Sequence, residues 1–168
     1  MPTIPIWVLG LIFWLHMLAT VMWIGSIVSI SLLFLPAAKQ TLKPVDQLSL
    51  IDAMQKRLEP IAWFSIGLLL VTGLFQLSAN PHYDGFLSTS GQWSITILIK
   101  HSLAVIMVGV SAIQTWEVLP AIRRALMRKE KAKSEELIAL QKRETRLIRI
   151  SFILSALVLA ATAFARAS

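Results

Sequence analysis

Two histidines are the residues of this chain best suited to chemistry inside a helical scaffold. His16 lies nine positions after Trp7, and His101 lies eight positions after Trp93. At the rise of an α-helix, those offsets place both imidazoles roughly 12 to 14 Å along apolar helices entered from the same side. Two rings at one depth suit a bis-histidine b-type heme, each giving one axial nitrogen to the iron while apolar neighbours cover the macrocycle. The plainer role for each ring is a packing hydrogen bond to an adjacent helix. Lys100 stands beside His101. It either snorkels to headgroups or pairs its ammonium with a heme propionate or another anionic group near the surface. His16, His101 and Lys100 are therefore the cofactor-binding candidates, with the two histidines as axial iron ligands.

Other residues offer less. His82 clusters with Asn80, Tyr83 and Asp84, a partial ligand set for a copper ion in an outer loop. Met17, Met22 and Met107 are soft enough for copper(I), but Met17 and Met22 do not share a helix face, so core filling suits the three methionines better. Glu117 sits near a basic segment and is expected to pair with an arginine there. The chain has no cysteine, which removes disulfides, thiolate metal sites, iron–sulfur clusters and thiol nucleophiles.

The elements that must position these residues follow from composition. Hydrophobic types make up 56% of the 168 residues and charged types only 15%, a balance that excludes a water-soluble domain. Met1 to Ala38 and Pro60 to Tyr83 carry no charged side chain, and each exceeds the roughly 20 apolar residues that cross a bilayer core. Four spans are expected, at about 7–35, 60–78, 93–118 and 148–166. Pro36 ends the first, Pro60 opens the second, and Pro120 follows the third. Ser134, with Glu135 and Glu136 behind it, marks a helix start. The fourth span is thus the end of a longer helix, with a cytoplasmic helical extension over about 121–147. The fold class is an all-α integral membrane four-helix bundle, a single domain over 1–168 with no internal repeat.

Charge orients the bundle. Lys39, Lys43, Lys56 and Arg57 fall in one connection, and ten further lysines and arginines from Arg123 to Arg149 fall in another. Both connections are expected to face the cytoplasm, which places both termini on the periplasmic side of a bacterial inner membrane. The net charge of +7 is thereby explained by topology and anionic headgroups, not by nucleic acid. Small and polar residues recur at helical spacing: Thr20, Trp23, Ser26 and Ile30; then Ser65, Leu69, Thr72 and Gln76; then Lys100, Ala104, Met107, Ser111 and Gln114. These stripes are expected to face the bundle interior, where small residues permit close approach.

The run Trp14-Leu15-His16-Met17-Leu18-Ala19, then Met22-Trp23-Ile24-Gly25 and Leu35-Pro36, resembles the first span of the copper-resistance D (CopD) membrane family and of the related HemJ-type proteins. Arg57, Val71-Thr72-Gly73-Leu74 and Ile99-Lys100-His101 continue the resemblance, as an arginine, a Thr-Gly turn and a lysine-bearing helix. It implies a membrane bundle linked to copper handling or, as in HemJ-like members, to b-type heme and protoporphyrinogen oxidation. The family's histidines and lysine would map to His16, His101 and Lys100. The leading expectation is a CopD-like b-type heme protein for electron transfer or redox sensing. The alternatives are a protoporphyrinogen oxidase, a copper transport or resistance module, and an accessory subunit. Membrane lipid is the expected surroundings, with a homo-oligomer or a larger membrane redox complex as the assembly.

Overall fold

The computed structural model describes residues 5–79, 85, 91–128 and 134–167. The described residues form four long helices: α1 over Ile6–Thr41, α2 over Pro44–Ser78, α3 over Gln92–Met127 and α4 over Ser134–Ala167. All four are long and apolar enough to cross a membrane, so the chain is an integral membrane protein with an all-helical fold. The outer loop with Asn80, His82, Tyr83 and Asp84 lies outside the described residues.

Large side chains such as Trp7, Val21, Phe64, Leu70, Val105 and Phe164 are largely exposed. In water so much apolar surface would drive aggregation, whereas in lipid it is the solvated face.

Local chemistry sets the helix ends. Lys43 is extended, Pro44 occupies the first helical position of α2, and Asp46 falls in its first turn. A proline there loses no hydrogen bond, and an acid is favoured by the N-terminal dipole. Pro60, expected to open the second span, instead lies inside α2. Pro36 and Pro120, expected to follow spans, also lie inside continuous helices. The reason is visible in the backbone. A five-residue π-helical turn precedes each of these two, Ile30–Phe34 before Leu35-Pro36 and Gln114–Val118 before Leu119-Pro120. The amide of Leu35 bonds back to the Ile30 carbonyl, and that of Leu119 to Gln114. The wider turn moves the carbonyls that a proline ring would otherwise strike, so the helix passes through the proline.

The chain folds as two antiparallel hairpins. In the first, α1 packs along α2; in the second, α3 packs along α4. The hairpins meet where α1 lies on α4 and where the basic ends of α2 and α3 touch. The hairpins share local features. Each first helix carries a π turn followed by Leu-Pro-Ala, and each second helix carries a short Gln-Lys-Arg run. These runs are Ala53-Met54-Gln55-Lys56-Arg57 and Ala139-Leu140-Gln141-Lys142-Arg143. The likeness is a few residues long at each place, too short to stand out until the π turns align it.

Three buried clusters stack along the bundle. Trp23, Ile24 and Met107 fill the middle, Ile30, Leu35, Ile51 and Ile148 the next level, and Leu48, Val118 and Ile122 the basic end. That end is also tied by polar contacts. Arg123 Nε donates to Asp52 Oδ1 at 2.6 Å. Gln141 donates to Gln47, which donates to the Leu42 carbonyl at 2.7 Å. Glu117 accepts from Arg143 at 2.7 Å, the arginine partner expected for it. Both of those side chains are about half exposed, and exposed pairs contribute only about 0.2–1 kcal/mol. Glu117→Gln is accordingly expected to lower thermal stability by no more than that, read from a melting curve in detergent.

Candidate functional site

His16 sits on α1 in the half of the bundle nearest the chain termini, and its ring lies against α2. Thr72 donates its hydroxyl to the Leu68 carbonyl at 2.6 Å. Its oxygen is therefore the acceptor for the His16 Nδ1–H, 2.8 Å away. One turn on, Thr20 donates to the His16 carbonyl at 2.8 Å. Gly73 allows the close approach: a β-carbon there would stand 3.4 Å from His16 Cε1, and any larger side chain would push the ring away. The Thr72-Gly73 pair is helical, not a turn. Its part in the structure is to seat an imidazole.

His101 sits on α3 and is half-buried. Its Nδ1–H donates to the Ile97 carbonyl of its own helix at 2.7 Å. His101 thus carries a proton on Nδ1, and with the Thr72 hydroxyl given to Leu68, His16 takes the same tautomer. A histidine that binds a metal is oriented in this way, its second nitrogen donating to a carbonyl or hydroxyl. Lys100 and His101 both lie near His16. The three sequence candidates are thereby brought into one neighbourhood. α1 and α3 are not a close-packed pair among the described residues, since α1 rests on α2 and α4 while α3 rests on α4. The two imidazoles reach that neighbourhood from separate hairpins.

The donor chemistry fits a group that takes two neutral imidazoles. His16 and His101 would supply an axial Nε2 each to a heme iron, and Lys100 would face an anionic substituent. No group of three or more histidine, aspartate and glutamate side chains converges among the described residues, so a metal at this site would rest on the histidine pair. The methionines divide. Met107 is fully buried, packed on Trp23 and Ile24 and reached by the Ser155 hydroxyl at 3.6 Å. Met17 and Met22 are exposed among the lipid-facing side chains and fill no core.

The interior stripes lie as their spacing implies. Trp23, Ile30, Ser65, Thr72 and Met107 are buried, and the remaining stripe positions are half-buried. Thr72 belongs to such a stripe, and nothing in helical spacing alone distinguishes it from Ser65 or Leu69 as the partner of His16. Its contribution can be measured. Thr72→Val keeps the shape and removes the acceptor, so His16 loses its tautomer anchor. A loss of this kind weakens metal affinity by roughly 10- to 100-fold, which a metal or heme titration of the purified variant would read.

The family model described as Copper resistance protein D (CopD) matches residues 52–165. Thr72, Gly73, Lys100 and His101 lie inside the matched region, and His16 lies ahead of it. Comparison with curated proteins and with solved structures gives no match. The family match spans most of the chain, including α3 whole and most of α2 and α4, and on that ground the chain belongs to the copper resistance protein D family.

Proposed function

We propose that this copper-resistance-related membrane protein is a b-type heme protein of the bacterial inner membrane, acting in electron transfer or redox sensing near the periplasmic face. One observation carries the reading: His16 Nδ1 lies 2.8 Å from the Thr72 hydroxyl oxygen and His101 Nδ1–H donates to the Ile97 carbonyl at 2.7 Å, so each ring is held through Nδ1 and Nε2 is the nitrogen assigned to a ligand. Lys100 stands in the same neighbourhood and is assigned to a propionate. A heme held by His16 and His101 would supply one-electron redox chemistry, which suits electron transfer. The chain's own part is to fix two ring orientations, place a cation beside them, and keep water away with the apolar wall of the bundle.

A second reading is favoured by the family itself. Imidazole nitrogen is a good copper ligand, so the same pair would bind copper as cargo. The test is a reduced-minus-oxidised absorption spectrum of the purified chain from a heme-replete host, with a pyridine hemochrome assay and copper analysis on the same sample. A stoichiometric low-spin b-type spectrum supports the heme assignment. Stoichiometric copper without heme, lost when the histidines are replaced, supports the copper reading and overturns the first.

A further inference from the structure

A second polar region lies toward the basic end, and nothing at the histidines uses it. Glu144 on α4 is fully buried. Its Oε1 accepts from Gln114 Nε2 at 2.6 Å and from Gln55 Nε2 at 3.5 Å, while its Oε2 has no hydrogen-bond partner. An ionised carboxyl would leave Oε2 an acceptor without a donor, and a protonated one would leave a hydroxyl without an acceptor. Either state is costly when buried, since an unmade hydrogen bond forfeits the hydration it replaced.

Beside this group lies a cavity of about 60 Å³ between the two hairpins. Both hydrogen-bond partners of Glu144, Gln55 and Gln114, line it. So does Ser151, which is 2% exposed and whose hydroxyl has no partner. Ser26, Ser111, Thr115 and Glu59 add to the polar wall. The space accommodates a few waters, and it has the several polar partners that buried water requires. The donors are oxygens and amides without sulfur or imidazole, a set unsuited to a soft metal ion. Glu59 connects this wall to the surface, with its side chain about one-quarter exposed.

Three helices bring charged groups to this end of the bundle: α2 carries Asp52 and Glu59, α3 carries Glu117 and Arg123, and α4 carries Arg143, which is occupied by Glu117. The stretch of α1 as far as Ala38 contributes none. Arg123 is held at 2.6 Å by Asp52 and stands 3.9 Å from Glu59. Glu59 is therefore the more weakly held of the two carboxylates that share one guanidinium.

We propose that this cavity holds the water of a proton site: Glu144, which stands behind the lining residues Gln55 and Gln114, gains and loses a proton through ordered water leading to Glu59. A proton taken up at Glu59 passes along the waters to Glu144 Oε2, converting carboxylate to carboxylic acid. Release runs the same steps backwards, and nothing is oxidised or reduced. Gln55 and Gln114 hold the carboxyl in place, and Ser151 offers the water chain both a donor and an acceptor. Gln114 belongs to the π turn of α3, a local widening that recurs at functional positions in helices. The proton site is independent of whatever the histidines bind.

The test is infrared difference spectroscopy of the full chain in lipid, following the carboxylic-acid C=O stretch as pH is lowered and as H2O is exchanged for D2O. The expected result is a band that appears on acidification, shifts in D2O, and is lost in Glu144→Gln. Glu59→Gln is expected to keep the band and slow its exchange, and this second variant decides the matter if Glu144→Gln does not assemble. Identical carboxyl bands in wild type and Glu144→Gln at every pH would overturn the proposal. So would a Glu144 band that never exchanges in D2O, or an exchange rate unchanged in Glu59→Gln. A band that responds to replacing potassium by sodium at fixed pH would overturn it too, assigning the cavity to a metal cation instead.

Discussion

His16→Ala and His101→Ala, each alone, are expected to abolish stoichiometric low-spin heme while leaving the helical content unchanged. The effect should be near-complete because the proposed centre has two protein ligands. Removing either one would take away half of the protein's hold on the group. Each ring is also fixed by a hydrogen bond, His16 to Thr72 at 2.8 Å and His101 to Ile97 at 2.7 Å. A substitute side chain therefore inherits neither the nitrogen nor its orientation. Met17→Ala, at an exposed lipid-facing position next to His16, is the control and should retain the spectrum. Circular dichroism separates loss of cofactor from loss of fold. Retention of a low-spin b-type spectrum by both histidine variants would remove this ligand pair from consideration. Retention by one alone would point to a different second ligand, with Lys100 the nearest alternative base.

The graded set His16→Ala, Thr72→Val and Gly73→Leu separates ligation from orientation. The first removes the nitrogen, the second its hydrogen-bond acceptor, and the third the space in which the ring lies against α2. If the imidazole acted only in packing, Thr72→Val would cost stability alone. If it ligates, the same change moves the affinity or midpoint potential of the bound group, because the second nitrogen's hydrogen bond sets the basicity of the first. Lys100→Ala completes the series. Its ammonium is expected to affect an anionic substituent of the bound group without changing the iron's low-spin character.

What the sequence shows clearly is what depends on long apolar runs and strong local signals. Four helices follow from uninterrupted hydrophobic stretches, and the start of α4 at Ser134 from a capping hydroxyl with two acids behind it. The pairing of Glu117 with an arginine follows from its position beside a basic segment. The prolines mislead: Pro60 lies within an α-helix, and Pro36 and Pro120 each follow a widened turn. Nothing in Ile30–Phe34 or Gln114–Val118 announces that these turns widen to i→i+5 hydrogen bonding. Those two turns carry α1 and α3 beyond their expected ends and produce the likeness between the hairpins.

The candidate site is legible in its ligands and not in its supports. His16, Lys100 and His101 are rare residue types within apolar spans, and rarity singles them out. Thr72 is one hydroxyl among several at helical spacing, and only the packing of α1 on α2 selects it. Glu144 is hidden for the opposite reason. In the run Lys142-Arg143-Glu144-Thr145-Arg146 it reads as one more solvated charge, yet it is fully buried while Lys142, Arg143 and Arg146 are exposed. The residues that hold it, Gln55 and Gln114, come from two other helices. Information of that kind exists only once the helices are placed.

The largest loss of stability is expected at the basic end, from Ile122→Ala. Ile122 is 0% exposed, packed with the equally buried Leu48 and Val118 and covered by Leu126, Leu137, Leu140 and Leu147. Those residues come from α2, α3 and α4, so the cluster joins both hairpins. Next to it stand Arg123 and Arg124, with Lys142, Arg143 and Arg146 on α4, which places the cluster among headgroups and water rather than hydrocarbon. There burial gains from the hydrophobic effect, which is missing between helices surrounded by lipid tails. Truncating a fully buried isoleucine costs about 2–5 kcal/mol through lost transfer energy and the cavity left behind. Ile106→Ala, at an exposed position on the lipid face of α3, should change stability by no more than about 0.5 kcal/mol. Unfolding in detergent titrated with sodium dodecyl sulfate reads both. A large loss confined to Ile122→Ala would mean that the hairpins are held together from the basic end, where Arg123 meets Asp52. Equal losses at both positions would mean that lipid-side packing supports the bundle as much as this cluster does.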